Sequence, residues 1–269
     1  MPLNLKFVYS GKNPSAPVAY CGFRSMHTVM ELLFVHNDEL AAKNISRRIK
    51  NRVDELDLIF NRHLENNELA RLNGSMSPVK VSDELFFAFE LCEQMRRSTK
   101  GYFDIAALSS TKEKPSFSLF PPSHEVSRTS GQVLIDFGGF AKGYAIDRVR
   151  TMLSEDFGVE KALINFGSSS SFGLGTHPLG DCWLVSDDRD RKRFRLKDSA
   201  LSVSGRSRSG AGHIVDPHTL KCVTEGRDIA VTGPSALICE VLSTALYAAP
   251  ENERKTVMEP FDNYQFQEL

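Results

Sequence analysis

Hydrophobic positions in the first third of the chain change from strand spacing to helix spacing. Residues 29–35 form an apolar run of strand length. In the next segment, from about Glu39 to Phe60, apolar residues recur every three or four positions, which predicts an amphipathic helix with one face in the core. A second helix is predicted to begin near Ser82, because Ser-Asp-Glu supplies a cap and early acidic residues, and apolar residues follow at helical spacing from Leu85.

From residue 133 onward, short strand-like runs alternate with glycine-rich turns. The predicted strands cover 133–137, 162–166, 182–185, 194–196, 200–203 and 229–232. Helices are predicted only over 143–153 and 235–248 and at the last residues of the chain. Because helices do not separate the strands regularly, the inventory indicates an α+β fold with mixed or antiparallel sheets and packed helices, and not a βαβ array.

The segment 109–130 is polar and contains Lys-Glu-Lys-Pro and Pro-Pro, which interrupt any regular pattern. We therefore predict a surface loop there. The 269 residues are expected to form a single domain, with a front lobe over about 1–108 and a back lobe over 131–269 on either side of this loop.

Composition excludes several classes of protein. Hydrophobic residues make up 41% of the chain and charged residues 25%, with a net charge of -1, so nucleic acid and anionic membranes are not expected partners. The five cysteines are scattered and contain no Cys-x-x-Cys pair, which indicates reduced thiols. No apolar run has the roughly 20 residues of a membrane helix, and no signal peptide or lipobox is visible, so a cytoplasmic location without membrane insertion is predicted.

Three segments contain residues that suggest chemistry. Gly138-Gly139-Phe140-Ala141-Lys142-Gly143 runs from a strand-like segment into a helix, where glycine amides, the helix start and a lysine suit a phosphate, although a tight structural turn is an equal interpretation. His213 precedes Ile214-Val215-Asp216-Pro217 and suits a general base, although a lone histidine is more often structural. Glu240 and Thr244 lie four apart on an apolar helix, so both oxygens share one face and suit a hard cation. The alternative is an acid and a hydroxyl on a solvated face.

Together these segments resemble the FAD:protein FMN transferase family, the ApbE-like flavin transferases. That family carries Asp-x-Gly-Gly-x-x-Lys-Gly, then His-Ile-x-Asp-Pro, then Asp-Ala-Leu-Ser-Thr, in the order found here. Earlier in the chain, Ser25-Met26-His27-Thr28, Asn67-Glu68-Leu69-Ala70-Arg71-Leu72-Asn73 and Thr99-Lys100-Gly101-Tyr102-Phe103-Asp104 are similar to three further family motifs. The resemblance covers about residues 26–249 and implies an ApbE-like, T-fold-like architecture.

The resemblance also implies a reaction and a set of site residues. The implied reaction is Mg²⁺-dependent transfer of the FMN half of FAD to a Ser or Thr hydroxyl of an acceptor flavoprotein domain, with release of AMP. The implied Mg²⁺ ligands are Gly139, Glu240 and Thr244, and the implied catalytic residues are His213 and Glu240. Contacts to FAD are implied for Met26, His63, Tyr102, Phe103, Asp104, Lys142 and Ile214.

The chain departs from the family pattern at several positions. Glu240 stands where the family has Asp, His27 replaces a glycine and His63 a tyrosine. The segment 167–171, Gly-Ser-Ser-Ser-Ser, stands where the family has Gly-Gly-Asp or Gly-Gly-Asn. Three alternatives therefore stay open: an FAD-binding protein without transferase activity, an FAD pyrophosphatase that gives FMN and AMP, and a structural or interaction domain without a flavin site.

Overall fold

The computed structural model describes residues 5–111, 116–187, 192–205 and 214–269. An eight-stranded antiparallel sheet forms its centre, in the order β1-β2-β3-β7-β8-β11-β14-β15. Its strands are β1 (Lys6–Ser10), β2 (Val18–Ser25), β3 (Thr28–Val35), β7 (Ala162–Phe166), β8 (Ser170–Leu174), β11 (Ser199–Ser204), β14 (Ile229–Gly233) and β15 (Gln265–Glu268).

Smaller sheets and the helices complete the described fold. The hairpin β9 (Trp183–Ser186) and β10 (Arg193–Leu196), the pair β12 (Val215–Asp216) and β13 (Lys221–Cys222), and the three strands β4 (Val79–Lys80), β5 (Phe117–Phe120) and β6 (Glu125–Arg128) form separate sheets. The α-helices are α1 (Glu39–Phe60), α2 (Glu68–Gly74), α3 (Asp83–Ser98), α4 (Ala141–Thr151), α5 (Ala236–Ala248) and α6 (Glu251–Met258). A π-helical turn, Met152–Asp156, extends α4. This mixture of antiparallel strands and packed helices confirms the predicted α+β class.

The two faces of the large sheet differ because side chains alternate along each strand. The inner face carries buried apolar residues and is covered by α1, α4 and α5. Its core residues in the neighbouring strands β2, β3 and β7 are Ala19, Cys21, Phe23, Met30, Leu32, Phe34, Ala162, Ile164 and Phe166. The outer face carries a smaller apolar cluster, in which Trp183, Phe194 and Leu196 of the β9–β10 hairpin pack on Leu201 and Ala230.

Several sequence predictions agree with these elements, and others were wrong. Helix α1 has the predicted bounds, while Ser82 and Ser235 are the caps of α3 and α5. The predicted loop 109–130 contains β5 and β6, because polar residues alternate there with buried Phe117 and Val126. Residues 133–137 are in no strand. The end of the chain forms strand β15, and not a helix.

Candidate functional site

An open cleft of about 520 Å³ lies where the glycine-rich turn, the start of α4 and the middle of α5 meet the end of β11. Gly139, Lys142, Glu240 and Thr244 all line it, although a hundred residues of sequence separate the first pair from the second. The segment 102–105 and Ile214 form other walls of the same cleft. Three of the segments singled out in the sequence therefore converge on one cavity.

Two glycines allow α4 and α5 to approach this closely. A Cβ atom on Gly143 would lie 2.5 Å from the carbonyl oxygen of Ala236, which is closer than real Cβ atoms come to backbone. A Cβ on Gly139 would lie 3.1 Å from Oγ1 of Thr244. The Lys-Gly pair of the motif thus places Lys142 directly beside α5.

Asp147, on α4, binds the N-terminal end of α5. Its carboxylate accepts hydrogen bonds from the hydroxyl of Ser235 at 2.6 Å and from the backbone N–H groups of Ala236 at 3.0 Å and Leu237 at 3.1 Å. These N–H groups have no partner within their own helix, so the carboxylate caps α5 and complements its dipole. The cap sets the position of Glu240 along the cleft wall.

Glu240 is the most deeply buried acid of the cleft, with 2% of its surface exposed. Its carboxylate oxygens accept hydrogen bonds from the ammonium group of Lys142 and from the backbone N–H of Gly143. A buried carboxylate is tolerated when it is paired and hydrogen-bonded in this way. The interpretation of Glu240 as an acid on a solvated face was therefore wrong.

A second ion pair holds the glycine-rich turn. Asp136 accepts from Nε of Arg62 at 2.8 Å and from the backbone N–H of Gly138 at 2.8 Å. The preceding residue, Ile135, exchanges two backbone hydrogen bonds of 2.9 Å with the side-chain amide of Asn73. An asparagine side chain thus satisfies the backbone groups of Ile135 that a neighbouring strand would otherwise pair.

The wall formed by residues 102–104 follows the end of α3. Thr99 accepts a hydrogen bond of 3.1 Å from the N–H of Phe103, and Asp104 accepts one of 2.7 Å from the N–H of Ala106. The ring of Tyr102 lies 4.5 Å from that of His218. Burial raises the pKa of Tyr102, and the negative charges of Glu253 and Asp216 add to the effect, so its hydroxyl stays protonated at neutral pH.

Hydroxyl groups line the sheet side of the cleft. The hydroxyl of Ser204 lies 2.9 Å from that of Ser243 and 3.4 Å from that of Thr244, and Ser202 lies 3.1 Å from Ser243. Because each hydroxyl both donates and accepts, this row orients the oxygen of Thr244 without adding charge.

The donors present fit a hard divalent cation. Glu240, Thr244 and the turn at Gly139 supply oxygen, and Mg²⁺ commonly takes one or two carboxylates and completes its shell with phosphate and water. No group of three or more His, Cys, Asp or Glu side chains suited to a metal occurs in the described parts of the chain. Any such cation would therefore share the Glu240 carboxylate with Lys142 or displace its ammonium group.

The described walls of the cleft contain charged side chains of both signs. Among the residues that the structure describes, these walls contain four acids, Asp104, Asp136, Asp228 and Glu240, and two bases, Arg62 and Lys142. Each base is paired with an acid. A cation bound at Glu240 would neutralise part of the charge of a diphosphate placed beside it.

The structure gathers most, but not all, of the predicted site residues. Cleft walls include Tyr102, Phe103, Asp104, Gly139, Lys142, Ile214, Glu240 and Thr244. Met26 and His63 are not among the residues that line it. His213 lies outside the described residues, so its role stays a prediction.

Met26 and His63 instead belong to the region around the β2–β3 turn. Met26 and His27 both have positive φ, 47° and 60°, as a two-residue hairpin turn requires. The N–H of Met26 donates to Asp57 at 3.1 Å, and the rings of His27 and His63 lie 5.3 Å apart, edge to face. The two histidines that depart from the family pattern thus contact each other.

Sequence reasoning missed part of the cleft lining. Arg62 follows the end of α1 without any motif, and Asp228 precedes β14 in a polar turn, so no local pattern distinguished either residue. Asp136 was visible in the Asp-x-Gly-Gly motif, but its pairing with Arg62 spans 74 residues. Such a pairing is visible only in the folded chain.

In the described part of the chain, each helix is too short or too polar to cross a bilayer.

Comparison with known proteins places these features in a family. A model of the ApbE family matches residues 26–266. A FAD:protein FMN transferase of Chlamydia muridarum (strain MoPn / Nigg) is 24% identical over 210 residues, an alignment that covers 66% of this chain and 66% of that protein. About a third of that relative's length is therefore unmatched.

Solved structures share the fold at low sequence identity. The flavin transferase ApbE from Vibrio cholerae has a TM-score of 0.75 at 17% identity and covers 98% of this chain and 97% of its own. The Pseudomonas stutzeri flavinyl transferase ApbE, in its apo form, has a TM-score of 0.78 at 18% identity, with 94% and 95% covered. The ApbE protein from Thermotoga maritima has a TM-score of 0.80 at 19% identity, with 93% of both chains covered. With a family model that matches nearly the whole chain and a fold shared with these structures, the protein belongs to the ApbE family.

Proposed function

We propose that this protein transfers the FMN half of FAD to a Ser or Thr hydroxyl of an acceptor protein in a reaction that needs Mg²⁺ and releases AMP. The observation that carries the proposal is the convergence of Glu240, Thr244 and the Gly139 turn beside Lys142 in one cleft. Family membership and the name of the Chlamydia muridarum relative support the same reaction.

The reaction breaks the phosphoanhydride bond of FAD and forms a phosphoester bond to the acceptor. The acceptor oxygen forms a bond to the phosphorus on the FMN side, and the bond from that phosphorus to the bridging oxygen breaks. AMP leaves with the electron pair, and the hydroxyl proton passes to a base, for which His213 is the candidate from the resemblance. When bound, Mg²⁺ supplies charge neutralisation at the diphosphate.

The residues of this chain position the diphosphate. Lys142 carries a positive charge at the start of α4, where the helix dipole also favours an anion and the Gly143 amide already donates to the Glu240 carboxylate. Glu240 holds Lys142 and the Gly143 amide in place until the substrate arrives. Tyr102, Phe103 and Asp104 form a wall at which the remainder of the dinucleotide is oriented.

The Lys142–Glu240 ion pair also favours a second function. Because an ammonium group already neutralises the metal carboxylate, the cleft suits FAD binding without a cation, as in a flavin-binding protein that performs no transfer. The two functions differ in their need for Mg²⁺.

One incubation separates these functions. The protein is mixed with FAD, MgCl₂ and a purified flavin-acceptor domain, with EDTA in a parallel sample. Transfer predicts a fluorescent protein adduct and AMP that both disappear with EDTA. Release of free FMN and AMP without adduct would identify a pyrophosphatase, and unchanged FAD with a raised melting temperature would identify a binding protein. Either result would contradict the transferase proposal.

A further inference from the structure

A second cavity, of about 460 Å³, lies on the outer face of the large sheet, and we refer to it as the outer groove. Its floor consists of outward-facing residues of the sheet, among them Glu31, Leu163, Asn165 and Leu201, and its side wall is β9. The chemistry assigned to the first cleft uses none of these residues. We propose that the outer groove binds an extended segment of the acceptor protein and directs its hydroxyl to the cleft lined by Lys142 and Glu240, which we call the FAD cleft. This inference rests on the proposed transferase function.

The first observation is that the groove and the FAD cleft adjoin each other. Ser168, Ser169 and Val203 line both cavities. The two serines belong to the turn between β7 and β8, and their short side chains stand between the two cavities. A segment that lies in the groove therefore ends at the wall of the FAD cleft.

This turn, which we call the lip, is anchored on both sides. The N–H of Gly167 donates to the carbonyl of Val29 at 2.9 Å, and the N–H of Val203 donates to the carbonyl of Ser169 at 2.8 Å. Gly167 and Ser168 adopt the left-handed conformation, with φ of 66° and 47°. The lip is thus a fixed edge over which an acceptor hydroxyl can be positioned.

The second observation is that β9 presents its edge to the groove. Leu184, Val185, Ser186 and Asp187 are consecutive, and all four line it. Side chains alternate along a strand, so consecutive residues line one cavity only when the edge of the strand faces it. Among the described residues, β9 pairs only with β10, on its opposite side.

The pairing of the hairpin identifies the free backbone groups. The N–H of Asp187 donates to the carbonyl of Lys192 at 3.1 Å, so Asp187 and, two residues earlier, Val185 direct their backbone groups toward β10. Leu184 and Ser186 therefore direct their N–H and C=O groups toward the groove. An extended peptide can pair with this edge, as in recognition by strand addition.

The third observation concerns charge. Glu31 accepts hydrogen bonds from the hydroxyl of Tyr20 at 2.8 Å and from Nδ2 of Asn165 at 3.4 Å, but it forms no ion pair within the described ranges. Burial, followed by this hydrogen bond to Glu31, raises the pKa of Tyr20 to about 12, so the Tyr20 hydroxyl stays protonated at neutral pH and donates to the carboxylate without adding charge. A cationic side chain of the bound segment would compensate the charge of Glu31.

These features specify the bound segment. Glu31 pairs across the sheet with Asn165, three residues before Ser168, and this corresponds to roughly 10 Å along a strand. The segment is therefore extended, with a Ser or Thr at the lip, a Lys or Arg three to four residues away, and small apolar side chains toward Leu163 and Leu201.

The test separates peptide binding from transfer. A pool of fluorescent peptides of about ten residues, each with one Thr and with Lys, Val, Ala or Gly at the other positions, is titrated against the protein with FAD and MgCl₂ present. Binding is measured by anisotropy and FMN adducts by mass spectrometry. Peptides with the specified pattern should bind, and a wild-type protein that binds none of them would overturn the proposal.

Two groove variants are compared with a matched control. Leu184→Lys changes a residue that is 60% exposed, and Ser186→Pro removes an edge N–H that β10 does not use. Both should weaken peptide binding by about tenfold or more, while the FAD-dependent rise in melting temperature stays unchanged. Leu179→Lys, at a residue that is 79% exposed and outside the groove, should behave as wild type. Equal peptide binding by all variants would overturn the proposal.

A third variant tests the role of the Glu31 charge. The measurement of FMN adducts then distinguishes failure of the binding site from failure of the proposed transferase function. Glu31→Gln should abolish the preference for Lys in the bound peptides, and an unchanged preference would contradict the assignment of Glu31. Groove-dependent binding without any FMN adduct would refute the transferase function and leave the binding site in place. Adducts that form equally well on the groove variants would refute the binding site and leave the transferase function in place.

Discussion

The two faces of the central sheet differ in how their charged and backbone polar groups are paired. On the inner face, the cleft that contains Glu240 has two ion pairs formed within the chain, Lys142 with Glu240 and Arg62 with Asp136. On the outer face, within the described parts of the chain, Glu31 forms no ion pair and β9 pairs along one edge only, with β10. The inner face is thus organised before a ligand arrives, whereas the outer face leaves groups for a partner to satisfy.

Because of this difference, substitutions on the inner face should affect stability more than substitutions on the outer face. Glu240 and Gly143 are enclosed by helix packing, so changes there affect folding and chemistry together. Exposed groove residues such as Leu184 contribute little to folding. Substitutions on the two faces should therefore have different combinations of effects.

The largest expected effect is that of Glu240→Ala on the inner face. Loss of the carboxylate removes the acidic ligand proposed for the cation and should lower the transfer rate by roughly 10² to 10³. It also leaves Lys142 and the Gly143 amide without their partner, which should lower the free energy of unfolding by about 1–3 kcal/mol. Single-turnover adduct formation and urea denaturation measure the two effects.

Two control variants show whether the effect of Glu240→Ala comes from the loss of this particular carboxylate. Glu240→Asp keeps a carboxylate of the type found in the family and should keep Mg²⁺-dependent turnover. Glu90→Ala removes an exposed acid from α3 and should change neither quantity measurably. Normal turnover in Glu240→Ala would refute the assigned role of Glu240.

A smaller effect is expected at the contact between α4 and α5. Gly143→Ala places a Cβ 2.5 Å from a carbonyl oxygen, so the helices must separate, at about 1–3 kcal/mol of stability. The cleft should also bind FAD less tightly, because Lys142 moves with α4. Thermal melting with and without FAD measures both.

Gly74→Ala is the matched substitution for Gly143→Ala. Gly74 ends α2, and an added Cβ there meets no atom within 4 Å. Alanine should leave stability unchanged or raise it slightly, by up to about 1 kcal/mol. If both alanine variants melted alike, close packing at Gly143 would not be what positions the cleft.

The smallest expected effect is a difference in reactivity between the buried cysteines and an exposed one. Burial raises the pKa of Cys92 and of Cys239 well above the usual value, and the nearby charges of Asp104 and Asp147 add to it. A raised pKa means less thiolate at any given pH, so both thiols should resist alkylation at about pH 8. Exposed Cys222 should react first.

Peptide mapping after brief iodoacetamide treatment reads out this order. Modification of Cys239 at the rate of Cys222 in the folded protein would show that α5 opens readily. The inner face would then be less closed than its packing indicates.

Local sequence patterns determined the helices and the composition of the site. Apolar spacing and capping residues are properties of contiguous segments, so Glu39–Phe60 and the caps Ser82 and Ser235 could be read directly. The four-residue spacing of Glu240 and Thr244 likewise placed both on one helix face, and both line the cleft.

Strand pairing was harder to predict, because it depends on partners elsewhere in the chain. The polar segment 109–130 forms strands because β6 pairs with β4 and β5. The apolar segment 133–137 is in no strand, and its backbone groups bind Asn73 at Ile135, Ser109 at Leu134 and the carbonyl of Ile105 at Asp136. Neither set of partners can be recognised from the segment itself.

The sequence by itself determined which residues carry charge, which helices present them, and which family motifs they resemble. Only the tertiary structure decided that Lys142 pairs with Glu240 across 98 residues, that Arg62 holds Asp136, and that the serines at 168 and 169 stand between two cavities. The physical reason is that periodicity specifies a face, whereas packing and the satisfaction of buried charges specify which faces meet.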